Sequence, residues 1–452
     1  RYEGEFRAGD FAIVNDPYRG GTHLPDLTMV APVFAGERLL GYAANRAHHA
    51  DIGGAAPGSM SPQTDLIAEG LVIPPTMFER LEDLGEGPPV GSIVQEILDL
   101  VLANTRTPDE RMGDLDAQLA ACDVGIARLQ DVEGRFGNAK FKRLCGSLYM
   151  HSATILRDNL KSLKGGTYTA EEVMDDDGAG TTDICVRLKL TVSRDGLTFD
   201  FSDSDPQVRG GVNAVRAVTE SAAFYSVLCL CDPRPPINYG CFEHIRVVTK
   251  PGTVVDAKRP APVAGGNVET SQRIVDLCFK TLAKAAPGRI PAQSQGTMNN
   301  LTIGGPTPDG GHFTYYETIA GGCGAGPERN GASGTHSHMT NTLNTPVEAL
   351  EHAYPLRVEE YALREGSGGE GKHRGGDGVI RRVRTLVPAQ FGLLTERRVH
   401  APQGSGKGKP GRQGINQVRY ADGETETLEA KDSGELQPGD AIDIRTPGGG
   451  GW

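Results

Sequence analysis

Two short polar segments near the start of the chain carry side chains that could hold a metal ion. They are NDPYRGGTHLPDLTMV (residues 15–30) with His23 and Asp26, and NRAHHADIGG (residues 45–54) with His48, His49 and Asp51. Imidazole and carboxylate groups together suit a borderline divalent cation such as zinc or manganese. Because several candidate ligands fall within so short a span, their spacing favours a metal site.

The local sequence predicts how these ligands would be presented. Pro25 lies between His23 and Asp26 and argues against a helical pair, so we expect a tight loop. The two adjacent glycines before His23 would let the backbone fold close to an ion. The third ligand would come from the next strand and turn, as His48 or His49. The alternative interpretation is that these are polar turn residues that cap strands, since the spacing is less specific than paired cysteines or HExxH.

Two further segments contain candidate ligand-binding side chains. His336 and His338 lie in GASGTHSHMTNT, and an extended backbone there would direct both rings to one side. They could join the metal site, bind substrate, or satisfy buried backbone groups. The segment GGNVETSQRI places Asn267, Glu269 and Thr270 at a predicted helix N-terminus, which suits an anion or polar ligand. Ordinary helix capping is the alternative for these three residues.

The glycine-rich segment GSGKGKPG, residues 404–411, does not meet the requirements of a phosphate-binding loop. Lys407 is followed by Gly408, and Lys409 is followed by Pro410, where Ser or Thr is required. No dinucleotide fingerprint lies between a strand and a helix, and no GxSxG nucleophile motif is present. We therefore expect that this chain does not bind ATP by itself through these loops.

Composition narrows the class of protein. The formal net charge of −12 argues against a nucleic-acid-binding surface, and no apolar run approaches the length of a membrane span. The eight cysteines are scattered without zinc-knuckle spacing, which predicts buried, reduced thiols in a cytoplasmic protein. No secretory signal is visible at the start, and the first residue is Arg rather than Met. We expect that an N-terminal portion is missing from this sequence.

The pattern of apolar residues predicts a mixed α/β (α+β) fold with several lobes. The predicted regions are a metal-site strand and loop region (1–85), a helical arm (86–165), a central mixed α/β region (166–360) and a β-rich C-terminal region (361–452). Amphipathic spacing predicts helices from Val90 to about Leu163, in AVTESAAFYSVLCLC and in NVETSQRIVDLCFKTLAKA. Hairpins are predicted around residues 194–196 and 421–423. The closing GGGGW reads as a tail too glycine-rich to hold itself.

Several motifs, in order along the chain, resemble the hydantoinase B/oxoprolinase family. They are NDPYRGGTHLPD, AHHADIGG, PGSMS, EGLVIPP, GGNVETSQR, GGCGAGPERNGASGTHSHMTNT, PVEALE, YPLRVEEY, GSGGEGKHRGG and PGGGGW. The resemblance runs from Gly9 to Trp452, and ten ordered motifs are far more specific than any one of them.

The resemblance implies a cytoplasmic subunit that works in a hetero-oligomer with a hydantoinase A-type ATPase. That partner spends ATP to activate the oxygen of a cyclic amide as a phosphate ester, and the B-type subunit brings about hydrolysis of the activated ring. Relatives that carboxylate ketones hold a divalent metal through a His, an Asp and a second His. Their spacing matches His23, Asp26 and His48, which leaves His49 and Asp51 as supporting residues or alternates.

The chemistry implied by the resemblance is physically coherent. Resonance protects an unactivated amide carbonyl, whereas a phosphate ester supplies a leaving group and water on a metal supplies a nucleophile near neutral pH. Asp51, Glu69 or His49 could orient the ligands or accept a proton. We therefore predict an ATP-dependent cyclic-amide hydrolase subunit acting on hydantoin, N-methylhydantoin or 5-oxoproline. A ketone carboxylase subunit is the first alternative, and a non-enzymatic scaffold with a structural zinc is the second.

Overall fold

The computed structural model describes residue 2, residues 4–79 and residues 93–452. Helices and four β-sheets alternate through these residues, so the predicted mixed α/β class is confirmed. The predicted division at residues 85 and 86 and the predicted helix start near Val90 lie outside the described residues. The division into four regions stays a prediction. No helix in the described ranges has both the length and the apolar character needed to cross a bilayer.

The N-terminal sheet is antiparallel and has the strand order β3-β2-β1-β4. Its strands are β1 (Asp10–Val14), β2 (Asp26–Ala35), β3 (Arg38–His48) and β4 (Thr76–Glu79), and a short helix α1 (Leu66–Glu69) precedes β4. Alternate residues of β2, including Leu27 and Met29, are buried in the core. That alternation fixes which strand residues face inward and hence the register of the β2–β3 hairpin.

Three helices follow: α2 (Ile93–Ala103), α3 (Pro108–Phe136) and α4 (Asn138–Leu160). Helix α3 begins at Pro108 and has Asp109 and Glu110 in its first turn, as predicted. It packs across β2 and β3. Its buried Gln118 donates to the carbonyl of Leu27 at 3.0 Å and so ties the helix to the sheet.

The central part packs two helices against a second sheet with the order β5-β6-β7-β8. The elements are β5 (Gly166–Asp176), β6 (Thr182–Val192), β7 (Leu197–Asp200), α5 (Arg216–Leu228), β8 (Ile245–Val248) and α6 (Ser271–Ala285). The predicted hairpin is confirmed as β6 and β7, and both predicted helices form. A π-helical turn, Gly266–Thr270, leads directly into α6, which lies almost wholly inside the protein.

The remaining strands build two sheets, ordered β10-β9-β13-β16 and β11-β12-β17-β14-β15. Their elements are β9 (Asn300–Pro306), β10 (His312–Thr318), α7 (Val347–Ala353), β11 (Leu356–Arg364), β12 (Gly378–Thr385), β13 (Ala389–Leu394), β14 (Ile415–Arg419), β15 (Thr425–Leu428), β16 (Lys431–Leu436) and β17 (Ala441–Arg445). The predicted turn at residues 421–423 joins β14 to β15, which confirms that hairpin.

The prediction for the closing GGGGW segment is wrong, because the structure buries it. Its backbone N–H groups donate to other glycine-rich segments, with Gly449 bound to the carbonyl of Gly376 at 2.9 Å and Gly450 to that of Gln293 at 2.8 Å. A Cβ atom on Gly449 would lie 2.0 Å from the carbonyl oxygen of Cys323. The glycines are therefore required for close backbone packing, which a count of flexible residues does not reveal.

All eight cysteines are free thiols, in agreement with the sequence interpretation. Their expected burial holds only for some of them, since Cys145 and Cys229 are exposed.

Candidate functional site

The β2–β3 hairpin brings two of the predicted ligands together. Asp26 is the first residue of β2 and His48 the last residue of β3, and the antiparallel register places them directly opposite each other. Directly opposed residues have Cβ atoms about 4.5–5.5 Å apart on one face of the sheet. Regular strand pairing therefore joins residues that are distant in sequence.

The turn before β2 adds His23 to the pair. The Asp26 N–H group donates to the His23 carbonyl at 3.2 Å, and the Thr22 hydroxyl donates to Asp26 Oδ2 at 2.7 Å. His23 Nδ1 lies 3.1 Å from the same Oδ2, yet neither nitrogen of the buried His23 ring has a hydrogen-bond partner. The predicted tight loop is confirmed. Gly21, two residues before His23, packs against the Asn15 carbonyl, so its lack of a side chain is required by the turn.

The protonation of the two strand residues reflects their surroundings. Burial alone would raise the pKa of the Asp26 carboxyl, but His23 and His48 and the Thr22 hydroxyl outweigh it and hold that pKa below its usual range. Protein atoms packed around the His48 imidazole lower its pKa, and the nearby His23 lowers it further. Since His48 retains an exposed surface, solvent moderates that lowering. Both groups thus favour the deprotonated forms that bind cations.

A chain of aromatic and polar contacts extends the site into the protein. The His48 ring lies 5.1 Å from the His23 ring and stacks on the Tyr316 ring at 5.0 Å, with an angle of 14° between the planes. The Tyr316 hydroxyl donates to Asn300 Oδ1 at 2.9 Å. Asn300 Nδ2 in turn donates to Glu269 Oε1 at 2.8 Å. Strands β9 and β10 therefore connect the hairpin to the π-helical turn.

Glu269 is completely buried at the inner end of this chain. Its Oε1 also accepts the Met298 N–H group at 3.0 Å, while Oε2 has no hydrogen-bond partner. Burial, and then the neighbouring Glu396 carboxylate, raise the pKa of Glu269 to about 8. The Thr297 hydroxyl opposes this rise from nearby, although it forms no hydrogen bond of ordinary geometry with Oε2. Glu269 can consequently hold a proton near neutral pH.

The three predicted ligands do not form a complete metal cluster as they are placed. Among the described residues, no three His, Cys, Asp or Glu side chains converge closely enough to hold an ion. His23 and Asp26 are in contact, and His48 is beside them with its ring turned onto Tyr316. A change in the His48 side chain would be needed for all three to share one ion.

The predicted supporting residues have other partners. His49 Nε2 lies 3.0 Å from Gln118 Oε1, which directs the ring towards α3. Asp51 accepts the N–H group and Nη1 of Arg106 at 2.8 and 2.9 Å. Glu69 accepts the N–H groups of residues 263 and 264, just before the π-helical turn. Burial raises the pKa of Glu69 to about 8. These contacts hold neighbouring loops in place around the hairpin.

The structure separates the residues predicted to bind substrate. Glu269 joins the site, whereas the Thr270 hydroxyl donates to the Val212 carbonyl and Asn267 is half-buried. His338 has φ of 61°, so the backbone is not extended there and the condition for both side chains to point to one side is not met. His338 lies against Tyr225 and Phe279. Burial lowers the pKa of His336, and Asn344 and Glu317 act in the opposite direction.

Sequence reasoning missed Tyr316 and Asn300. Tyr316 lies far along the chain from His48, in a strand whose aromatic residues predict only burial. Asn300 follows another asparagine in TMNNLTIGG, a segment without a recognised motif. No local signal marks either residue, because pairing between β9 and β10 brings them together and the ring stack with His48 joins them to the hairpin.

Comparison with known proteins now adds to this geometry. The sequence profile described as hydantoinase B/oxoprolinase matches residues 1–452. The chain belongs to the hydantoinase B/oxoprolinase family. The resemblance inferred from the motifs is thereby confirmed. The 5-oxoprolinase 1 of Arabidopsis thaliana is a relative with 36% identity over 469 residues, which cover 98% of this chain and 35% of that protein. The chain thus spans about a third of the length of the 5-oxoprolinase relatives.

Two solved structures share the fold of this family member. The ATP-dependent caprolactamase of Pseudomonas jessenii superposes with a TM-score of 0.89 at 24% identity and covers 100% of this chain and 78% of that chain. A nucleotide-free acetone carboxylase superposes with a TM-score of 0.87 at 18% identity and covers 100% and 66%, respectively. At such identities the likeness shows the fold alone.

Proposed function

We propose that this chain is the B-type subunit of an ATP-dependent cyclic-amide hydrolase. Its substrate would be a hydantoin, N-methylhydantoin or 5-oxoproline ring that a hydantoinase A-type ATPase has activated. The observation that carries the proposal is that Asp26 lies directly opposite His48 in the β2–β3 hairpin and in contact with His23 from the preceding turn, in a chain of this family. The name of the Arabidopsis relative supports a cyclic-amide substrate.

The residues present fit a divalent cation. The buried His23 ring has two nitrogens without hydrogen-bond partners, and its Nδ1 lies 3.1 Å from Asp26 Oδ2. Two ligand atoms about 2.1 Å from a tetrahedral zinc ion are themselves about 3.4 Å apart, close to the separation seen here. His23, Asp26 and His48 would hold the ion, and rotation of His48 would bring in the third donor. Two imidazoles and one carboxylate suit zinc or manganese.

The bound cation would lower the pKa of a water molecule and so supply a nucleophile near neutral pH. This chain's own residues would position the ring and move its protons. Tyr316 offers an aromatic face beside the ligands and holds Asn300 in place through its hydroxyl. Glu269, with its raised pKa, can carry a proton to the ring nitrogen that is released when the amide opens. These roles depend on Asn300 and Glu269, which form the buried polar end of the chain of contacts that starts at the hairpin.

Metal content is the first test of the ligand set. Elemental analysis after dialysis should find about one zinc or manganese per chain in the wild type and little in His48→Ala. His352→Ala, which changes an exposed histidine of α7, is the matched control and should keep the metal. Wild-type protein without metal, or a His48→Ala variant that retains it fully, would refute the assignment.

Turnover tests the reaction itself. With the ATPase partner and ATP, the wild type should open the ring, and His23→Ala should lose this activity even where the complex still assembles. Bicarbonate-dependent ATP consumption with a ketone, but none with cyclic amides, would replace the hydrolase by a carboxylase. Bound metal without turnover of either substrate class would leave a structural zinc in a scaffold.

A further inference from the structure

A cavity lies away from the β2–β3 hairpin, between the β14–β15 hairpin and the loop that follows β13. It has a volume of about 590 Å³, and three arginines line it: Arg364, Arg398 and Arg412. Arg364 ends β11, Arg398 follows β13, and Arg412 lies in the glycine-rich segment before β14. Three separate parts of the chain thus deliver a guanidinium to one space.

The guanidinium groups of Arg364 and Arg398 have only neutral hydrogen-bond partners in the protein. Arg364 Nη1 donates to the carbonyls of Gln413 and Thr446 at 2.7 and 3.0 Å. The Arg398 guanidinium donates to Asn416 Oδ1, to Asn299 Oδ1 and to the Glu396 carbonyl, with its shortest contact at 2.6 Å. Within the described part of the chain, none of the three forms an ion pair with a carboxylate.

Other arginines with little or no exposure follow a different rule. Arg273 pairs with Glu396 at 2.8 Å, Arg381 with Glu317 at 3.0 Å and Arg397 with Asp276 at 2.5 Å. This fold therefore supplies a carboxylate wherever it encloses such a cation, as the cost of burying an unpaired charge requires. Arg364 and Arg398 are half-buried and have no such carboxylate, and the exposed Arg412 adds a third positive charge beside them.

The lowered pKa values of Arg364 and Arg398 agree with positive charge that no carboxylate pairs. Burial, and then the neighbouring Arg445 and Arg412, lower the pKa of Arg364. Burial also lowers the pKa of Arg398 to about 10, even though Glu269, Asp175 and Glu396 act in the opposite direction. Each guanidinium would be more stable with an anion beside it.

We propose that this cavity binds a small oxyanion, a phosphate or a carboxylate group, held by Arg364, Arg398 and Arg412. Planar guanidinium groups match both oxyanions through paired N–H donors. The acidic side chains of the cavity do not fill this role: Asp176 lies 3.8 Å from Lys431, and Glu429 is exposed to solvent. The cavity does not include the proposed metal ligands His23, Asp26 and His48, although Glu269 acts electrostatically on Arg398.

Calorimetric titration of the full chain with inorganic phosphate and, separately, with malonate tests the site. The wild type should show saturable binding, and Arg412→Gln and Arg364→Gln should each weaken it roughly tenfold, the loss of one charge-assisted contact. Arg246→Gln, which removes an exposed arginine of β8, is the matched control and should bind like the wild type. Arg412 is exposed, so its variant should fold normally.

The relative affinities identify the ligand. Tighter phosphate binding assigns a phosphate site, and tighter malonate binding assigns a carboxylate site. The proposal is overturned if neither anion binds saturably at millimolar concentration. It is also overturned if Arg246→Gln weakens binding as much as Arg412→Gln does, since this would indicate diffuse attraction to surface charge. Circular dichroism of each variant separates loss of binding from loss of structure.

Discussion

Two buried polar regions meet at the start of α6, and they differ in whether their charged and polar groups have partners. In the first turn of α6, Arg273 pairs with Glu396 at 2.8 Å, and the other Glu396 oxygen is bound by Lys431. One turn earlier, Glu269 leaves an oxygen without a partner, and beyond it lies His23 with two unpartnered ring nitrogens. The first region matches cation with carboxylate, whereas the second leaves donors and acceptors open.

The difference distinguishes residues that stabilise the fold from residues whose polar groups are available to bind a ligand. A buried ion pair fixes an arrangement, because removing either member leaves an uncompensated charge. An unpartnered buried polar group costs about 1–3 kcal/mol and persists where something else meets it. Some Arg273 nitrogens also lack hydrogen bonds, so Arg273 and Glu396 compensate each other in charge rather than in every hydrogen bond. This criterion supports the proposal that the hairpin and Glu269 belong to a binding site.

The largest expected effect comes from breaking the matched region. Glu396→Gln leaves Arg273 and Lys431 buried without their carboxylate, which should destabilise the protein by about 3–5 kcal/mol. Urea unfolding measures the loss. Lys161→Ala, which removes an exposed ion pair with Asp158 on α4, should leave stability nearly unchanged. Equal, small effects of the two changes would show that the buried network does not hold the fold.

The sequence predicts the two regions unequally, and the reason is distance along the chain. Apolar periodicity indicates α6, but Glu396 lies 123 residues after Arg273, so no local pattern reveals their pairing. His23, Asp26 and His48 belong to one hairpin, and their residue types and spacing indicated a shared site. The packing of the glycine-rich tail is not predicted either, and for the same reason, since its packing partners are remote segments.

A change within the second region should appear as a pH dependence. The pKa of Glu269 is about 8 in the folded protein, against an ordinary value of 4.5 for an unfolded chain. The protonated group therefore stabilises the fold fully below about pH 4.5, and this contribution is lost as the pH rises through about 8. Glu269→Gln cannot titrate, yet its amide oxygen can still accept from Asn300 and Met298.

Urea unfolding of wild type and Glu269→Gln across that interval provides the measurement. The stability of the wild type relative to the variant should fall as the pH rises and then level off above about 8. Glu69, whose pKa is also raised to about 8, remains in both proteins, so the difference isolates Glu269. A difference that stays constant with pH would place Glu269 among ordinary paired carboxylates and blur the distinction between the two regions.

The smallest effect should come from Tyr316→Phe, which leaves the stacked ring beside His48 and removes only the hydroxyl that donates to Asn300. The loss of one hydrogen bond should cost about 1 kcal/mol of stability. Metal content should stay at the wild-type level, because His23, Asp26 and His48 are unchanged. Turnover should fall, since Asn300 is then free to move away from Glu269. If Tyr316→Phe instead loses metal, the hydroxyl controls the ligands directly, and the polar chain from the hairpin to Glu269 acts as one unit.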